Sequence, residues 1–489
     1  MADFGFVGAS YTTRSIYQDA QECINFYPEI DPTKEPGGRG IVALYPTPGL
    51  VTEIELPAGE VRGMRALSGL QYAIVVCANK VYRVATDLTY ILVGTINSNT
   101  GPVSITDNPM TVEGLTAYIV DGVSRYYYVV ATNTFSVLPI TDGDWVGATV
   151  VDTVDNYIAY NEPGTQNWAV TDLGSPFSTT GLYGAKDGSP DNLVALIVDH
   201  RQVFLLGEVT TEVWIDVGSQ IPGLVTFPFQ RISGASSQNG IGAAFSIARF
   251  SDTFMFLSRD TLGTATIGQM IGYEYKRVST HPVENSLVGY DVSDARAFSF
   301  QVEGHEFYVI TFPQINLTWV YDLATQQWFK WLYWNSETAQ YERHRANCGI
   351  AFANKTLVGD YENGKIYSVD FDVYTDAGNT IRRLRRAPHL TTDLQRQFFE
   401  EFQIQFQPGV GLVSGQGQNP QAMLRWSNDG GSTWSNEHWV SIGAIGQYNN
   451  RAIWRRLGWG RDRVFEVAVT DPINAVIVSA NLKASAGDN

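Results

Sequence analysis

The stretch Thr318 to Trp331, TWVYDLATQQWFKW, constrains the fold more than any other. It reads as a strand, a tight turn at Ala324-Thr325-Gln326 and a second strand, because β-branched and aromatic residues flank a short polar break. The Asp322 carboxylate is placed to accept turn amides, and Trp328 to pack beside the strand carrying Tyr321. A hairpin of this kind belongs either to a four-stranded propeller blade or to a sandwich.

Related hairpins recur. QYAIVVCANKVYRV from Gln71 turns at Ala78-Asn79-Lys80, and YIVDGVSRYYYVV from Tyr118 turns at Asp121-Gly122, where Asp-Gly between β-rich runs is a strong hairpin signal. NYIAYNEPGTQNWAV turns at Glu162-Pro163-Gly164, and the run from Leu193 to Val217 turns at Asp199-His200-Arg201. Further units cover Thr253 to Val278, with a turn near Asp260, then His305 to Trp331, and Thr356 to Val369 with a turn at Glu362-Asn363-Gly364. Units spaced about 40 to 60 residues apart fall in the range of propeller blades. An all-β propeller-like body of five to seven blades over residues 56–380 is therefore expected; a pair of sandwiches is the alternative.

Composition agrees with strands. Aromatic residues make up 12% of the 489 residues and 46 are Gly, which suits aromatic strands punctuated by turns. Amphipathic helical periodicity is weak everywhere, and Ala387 to Gln397 is the nearest candidate, with Pro388 permitting helix only after it. Apolar runs such as Tyr72 to Ala78 are too short to cross a bilayer as a helix, and MADFGFVGAS has neither a basic nor an apolar region, so no membrane association or secretory signal is expected. The three cysteines, Cys23, Cys77 and Cys348, are odd in number and widely spaced, as expected of buried thiols in a reducing compartment.

The net charge of −17 is uneven. Residues 381–489 hold 12 Lys+Arg against 9 Asp+Glu, leaving 21 against 41 for residues 1–380, so the body carries −20 and the tail region +3. An acidic body repels nucleic acid, while a basic end can dock on something acidic; the same charge also serves solubility.

Residues 1–55 read as an extended arm that lies across the protein or reaches a neighbouring subunit. Tyr27-Pro28, Asp31-Pro32 and Glu35-Pro36-Gly37-Gly38 interrupt it, and Tyr45-Pro46-Thr47-Pro48-Gly49-Leu50 makes a rigid corner. After Gly378 the composition shifts. Arg382-Arg383-Leu384-Arg385-Arg386 reads as a seam, and residues 381–489 as a sandwich-like β domain.

Within that domain, Ser427-Asn428-Asp429-Gly430-Gly431-Ser432-Thr433-Trp434 fits the Asp-box pattern. Asp429 should accept its own turn's amides, Gly431 should take positive φ and Trp434 should plug the sheet. Asp-boxes occur in sialidases, where they brace blades away from the active site, so a glycan-binding or glycan-cleaving propeller is the alternative function. It is disfavoured, because no recognisable set of three arginines with a Tyr/Glu pair is present. Glu400 and Glu401 face opposite sides of a strand, and Asp142 and Asp144 sit in a turn expected to be solvated. The six histidines lack metal-ligand spacing, so no cofactor, metal or catalytic residue is expected.

The remaining constellation is Trp454, Arg455, Arg456, Trp459, Arg461 and Arg463. Strand geometry would put Trp454 and Arg456 on one face and Arg455 and Leu457 on the other. Arg and Trp are enriched at interface hot spots, so docking on a protein is the favoured reading; stacking on nucleic acid and an edge strand blunted by charge are the alternatives.

Taken over nearly its whole length, the chain resembles the packaged-DNA stabilisation proteins, or tail hubs, of short-tailed bacteriophages. The residues carrying this are Ile24-Asn25-Phe26-Tyr27-Pro28, Tyr45-Pro46-Thr47-Pro48-Gly49-Leu50, Val203-Phe204-Leu205-Leu206-Gly207 ending in Glu212-Val213-Trp214, Val320-Tyr321-Asp322 with Trp328, and Trp454-Arg455-Arg456-Leu457-Gly458. The resemblance implies a non-enzymatic virion protein of the phage tail, made in the host bacterial cytoplasm. It implies a homo-oligomeric ring, a hexamer, that closes the portal vertex, retains packaged DNA and contacts portal or adaptor protein, tailspike or tail fibre, and needle or plug. DNA would pass the acidic bore without sequence-specific binding.

Overall fold

The computed structural model describes residues 2–31, 42–57, 59–189, 191–218, 226–259 and 263–487. Strands dominate it, and the single α-helix among these residues is His281–Asn285. Ala387 to Gln397 is not helical: Asp393 and Leu394 both take positive φ (48° and 56°), which breaks any helix after Pro388.

Seven antiparallel sheets follow one another as blades. Blades 1 to 4 span Val61–Thr95, Ser104–Val137, Val151–Ala185 and Leu193–Ser237, each with four strands. Blade 5 spans Gly240–Arg277, with its inner strand split by a 3-10 turn at Ala244–Ser246. Blade 6 spans Arg296–Lys330, and blade 7 is built from Ala346–Phe352, Lys355–Asp360 and Lys365–Asp370. The first strands of successive blades pack side by side, and blade 7 returns to blade 1, where Asn347 Nδ2 donates to the Val61 carbonyl (3.0 Å). They meet at a cavity of about 310 Å³, lined from all seven blades by residues such as Met64, Ile105, Leu196 and Ile350. That is room for about ten waters, far too little for a nucleic-acid duplex.

The blade hairpins follow their turn chemistry. In blade 6, Leu317–Asp322 pairs with Gln327–Lys330, setting Tyr321 against Trp328 with ring centroids 5.1 Å apart. Asp322 Oδ1 accepts the Ala324 N–H (3.0 Å), Oδ2 accepts the Thr325 hydroxyl (2.7 Å), and Gln326 closes the turn at φ +56°. His200 and Arg201 both have positive φ (47° and 62°), as a two-residue hairpin turn requires. At Gly240 a Cβ would come within 2.3 Å of the Val209 nitrogen, so glycine there lets blade 5 approach the blade 4 backbone. The turn near Asp260 lies outside the described residues.

Residues 1–55, expected as an extended arm, lie across this chain: among the described residues Ala20–Ile24, Phe26–Ile30, Val42–Pro46 and Gly49–Glu55 are strands of its own sheets, while residues 4–10 and 13–19 run between strands. Gly49–Glu55 pairs antiparallel with Lys365–Asp370 and becomes the fourth strand of blade 7, so the ring is closed by the two ends of the propeller segment. The physical reason is the alternation in GLVTEIE, which needs a sheet partner to bury Leu50 and Ile54.

The earlier part of the arm enters the C-terminal domain. One sandwich sheet orders Phe26–Ile30, Val42–Pro46, Ile477–Ala486, Gln397–Phe406 and Ala452–Arg455; the other orders Ala20–Ile24, Arg383–Arg386, Asp462–Val469, Gln421–Ser427 and His438–Ser441. Ala20–Ile24 is also placed beside blade 6 through a parallel pairing of Ile24 with Lys330, so sheet continuity runs from propeller rim to sandwich. Within the basic run expected as a linker or seam, Arg383–Arg386 is an interior strand, and Arg385 is buried and donates to the carbonyls of Phe6 (2.5 Å) and Ala9 (2.8 Å). One apolar core joins Tyr27, Phe402, Phe465 and Trp454 of the sandwich to Trp331, Phe307 and Tyr367 at blades 6 and 7.

Candidate assembly surface

The edge of the first sandwich sheet carries Ala452–Arg455 and Trp459–Gly460, after which the chain enters the other sheet at Asp462. Trp454 is buried, stacks on Phe402 (centroids 5.7 Å apart) and donates its indole N–H to the His438 carbonyl (2.8 Å). Arg455 projects into solvent and pairs with Glu401 (2.9 Å). The strand ends there, because Arg456 turns to φ +60°, so the expected alternation does not continue through Arg456 and Leu457. Arg463 faces inward: its guanidinium lies over Phe399 (4.3 Å) and donates to Asn428 Oδ1 (2.8 Å) and to the carbonyls of Leu457 (2.6 Å) and Trp459 (2.8 Å). Burial pulls its pKa down to about 10.

Trp459 is 49% exposed and pairs across the sheet with Phe398, and Arg396 lies over both rings at 4.2 and 5.0 Å. Arg461 is exposed and donates to the Leu394 carbonyl (2.9 Å). Of the six residues singled out in the sequence, Arg455, Arg456, Trp459 and Arg461 share an outer edge with Phe398 and Arg396, while Trp454 and Arg463 support it from within. Phe398 and Arg396 were missed; the alternation of FFEEFQIQF was the available signal, since it puts Phe398 opposite to the buried Phe399.

The Asp-box closes as its residue types dictate. Asp429 accepts the Ser427 hydroxyl (2.6 Å), the Thr433 N–H (2.8 Å) and the Thr433 hydroxyl (2.6 Å), and these bonds pull its pKa down to about 2. Gly430 and Gly431 take φ +68° and +104°. Trp434 lies between Arg386 (4.9 Å) and Arg425 (4.7 Å), which both pair with the buried Glu466. The box therefore braces the sandwich and sits outside the propeller blades.

The carboxylates that stand close together in the sequence have separate partners in the fold. Asp142, expected to be solvated, is buried beside Arg125 (3.2 Å), and burial raises its pKa; Asp144 is exposed and accepts the Gly181 N–H (2.8 Å). Glu400 and Glu401 pair separately with Lys483 (2.5 Å) and Arg455. Among the described residues no group of three or more His, Cys, Asp or Glu is arranged to hold a metal ion. His305, one of the scattered histidines, bridges Asp322 (2.9 Å) and Glu29 (2.6 Å), tying the Phe26–Ile30 strand to blade 6.

Seven radial blades closed by a returning N-terminal strand, with a sandwich sewn to blades 6 and 7, define an all-β propeller–sandwich protein. The descriptions "Bacteriophage P22 Gp10, beta-propeller" and "Bacteriophage P22 Gp10, beta-sandwich" match residues 12–374 and 382–485, and the chain belongs to that family. The tail hub protein gp10 of Salmonella phage P22 is 20% identical over 308 residues, which cover 61% of this chain and 62% of the relative, so the alignment spans less than two thirds of that protein. Chains from a mitotic checkpoint complex and from the N-terminal domain of Nup159 superpose with TM-scores of 0.40 at 14% and 9% identity, over 70% and 71% of this chain and 97% and 98% of theirs. At that score they add nothing to the assignment.

Proposed function

We propose that this chain is a structural subunit of a short-tailed phage virion, a tail hub that forms a six-membered ring below the portal vertex. In that role it retains packaged DNA, joins portal and adaptor to tailspike or fibre and to a needle, and performs no chemistry. The observation that carries this reading is the family match across both halves of the chain, together with its relative named as a tail hub.

Charge supports the role. A body of net −20 repels a passing duplex, so DNA slides without adhering. The passage is a bore between subunits, because the cavity on the propeller axis holds only about 310 Å³. The test is electron microscopy of the purified chain mixed with its phage's portal and adaptor. Six-fold density capping the adaptor is expected; a chain that neither binds the adaptor nor forms rings overturns the reading.

A further inference from the structure

Resting on that reading, the rim of the propeller shows how subunits join. A sheet edge exposes unpaired N–H and C=O groups, and proteins guard such edges with charge or with a covering segment. Blade 6's outer strand is covered by Ala20–Ile24, and blade 7's closing strand by Thr375–Asp376. The outer strands of blades 4 and 5, FQRISGASS and EYKR, carry charges. Blades 1, 2 and 3 have neither guard: their outer strands read YILVGT, TFSV and YGA.

Tyr90, Ile91, Leu92, Val137 and Tyr183 on these three successive edges are all 40% to 55% exposed. Asp87 and Asp144 are exposed around the same blades; Asp187, just past blade 3, is exposed and pairs with Arg231 (3.4 Å), and Lys80 beside the blade 1 edge donates to Thr95 (3.0 Å). The sandwich is attached at blades 6 and 7, so in a seven-membered ring blade 3 lies farthest from it and blade 1 lies next to blade 7. Its own free sheet edge, Ala452–Arg455 followed by Trp459–Gly460, bears Arg455, Arg456 and Arg461 around Trp459 and Phe398. One edge is apolar with acidic flanks; the other is aromatic with basic flanks.

We infer that the Tyr90–Thr95 and Thr134–Val137 edges of one subunit dock on the Arg455–Arg461 sandwich edge of a second copy of this chain. Two different patches make a heterologous contact, and repetition of such a contact closes a ring where the rotation between successive subunits closes, as the hub reading requires. Aromatic and apolar side chains fill its centre while the arginines meet the rim carboxylates.

The test uses two full-length variants whose changed side chains are exposed, L92E/V137E and R455E/R461E, each first shown to melt like the unaltered chain. Native mass spectrometry should find rings for the unaltered chain and monomers for either variant alone, with about a hundredfold weaker association. Mixed together, the variants should stop at heterodimers, since only one good rim and one good sandwich edge then remain per pair. Rings formed by either variant overturn the inference and leave the hub reading standing. Monomers from the unaltered chain at every concentration, with or without adaptor, overturn the inference, and failure to bind the adaptor as well overturns the hub reading.

Discussion

Ile24 and Lys330 stand side by side in parallel register, and through this pairing the outer strand of blade 6 continues into the sandwich. Next to it Asn25, fully buried at φ +57°, locks the joint: Nδ2 donates to the carbonyls of Leu332 (2.8 Å) and Arg382 (2.9 Å), and Oδ1 accepts the Leu332 N–H (2.8 Å). Asn is among the few residues that take positive φ and still satisfy three backbone groups.

Asn25→Ala removes all three bonds and leaves buried backbone groups unpaired, a loss of about 3 kcal/mol. Thermal unfolding should show a lower midpoint and, in addition, earlier proteolysis of the sandwich. An unchanged melting curve would mean that the joint contributes no stability.

Ring closure depends on Gly49, whose N–H donates to the Val373 carbonyl (2.7 Å). A Cβ at this position would lie 2.5 Å from the Thr375 carbonyl oxygen and 2.6 Å from that of Val373, both backbone atoms that cannot rotate away. Gly49→Ala should therefore cost about 1–3 kcal/mol in urea unfolding, as overpacking does.

The His305 bridge makes stability depend on pH. Its hydrogen bond to Asp322 is the largest cause holding its pKa up at about 8; burial works against this, and the Asp322 and Glu29 charges add to it. A raised pKa means that the folded state binds the proton more tightly, so the contribution is full below about 6.5 and is lost as pH rises through about 8. Stability should fall by about 2 kcal/mol across that window. His305→Gln should flatten the dependence there; an identical fall in the variant would assign it to another group.

Cys23 is fully buried, and desolvation pushes its thiol up to about 12. At pH 8 it should resist a disulfide reagent in the folded chain and react at once after unfolding. Colorimetric thiol titration with and without denaturant measures this.

The hairpins were legible because each is local: Asp322, the turn and Trp328 lie within seven residues, and Asp429 with Thr433 and Trp434 within six. What joins distant segments was not. Nothing in GLVTEIE says that its partner is Lys365–Asp370, and His305 finds Glu29 from 276 residues away. The same limit applies inside the candidate surface. Spacing marked Trp454, Arg455, Arg456, Trp459, Arg461 and Arg463 as a cluster, but which of them faces water depends on the strand ending at Arg456 and on the cage around Arg463.

The stitching of the N-terminal segment also dictates when the molecule can mature. Residues 20–55 are made before the strands they pair with, among them Lys365–Asp370 and Ile477–Ala486. Until Lys365–Asp370 has been made the propeller lacks its clasp, and until Ile477–Ala486 has been made Val42–Pro46 lacks the strand that links it to Gln397–Phe406, so a chain stopped short of these strands has no finished unit to offer a growing particle.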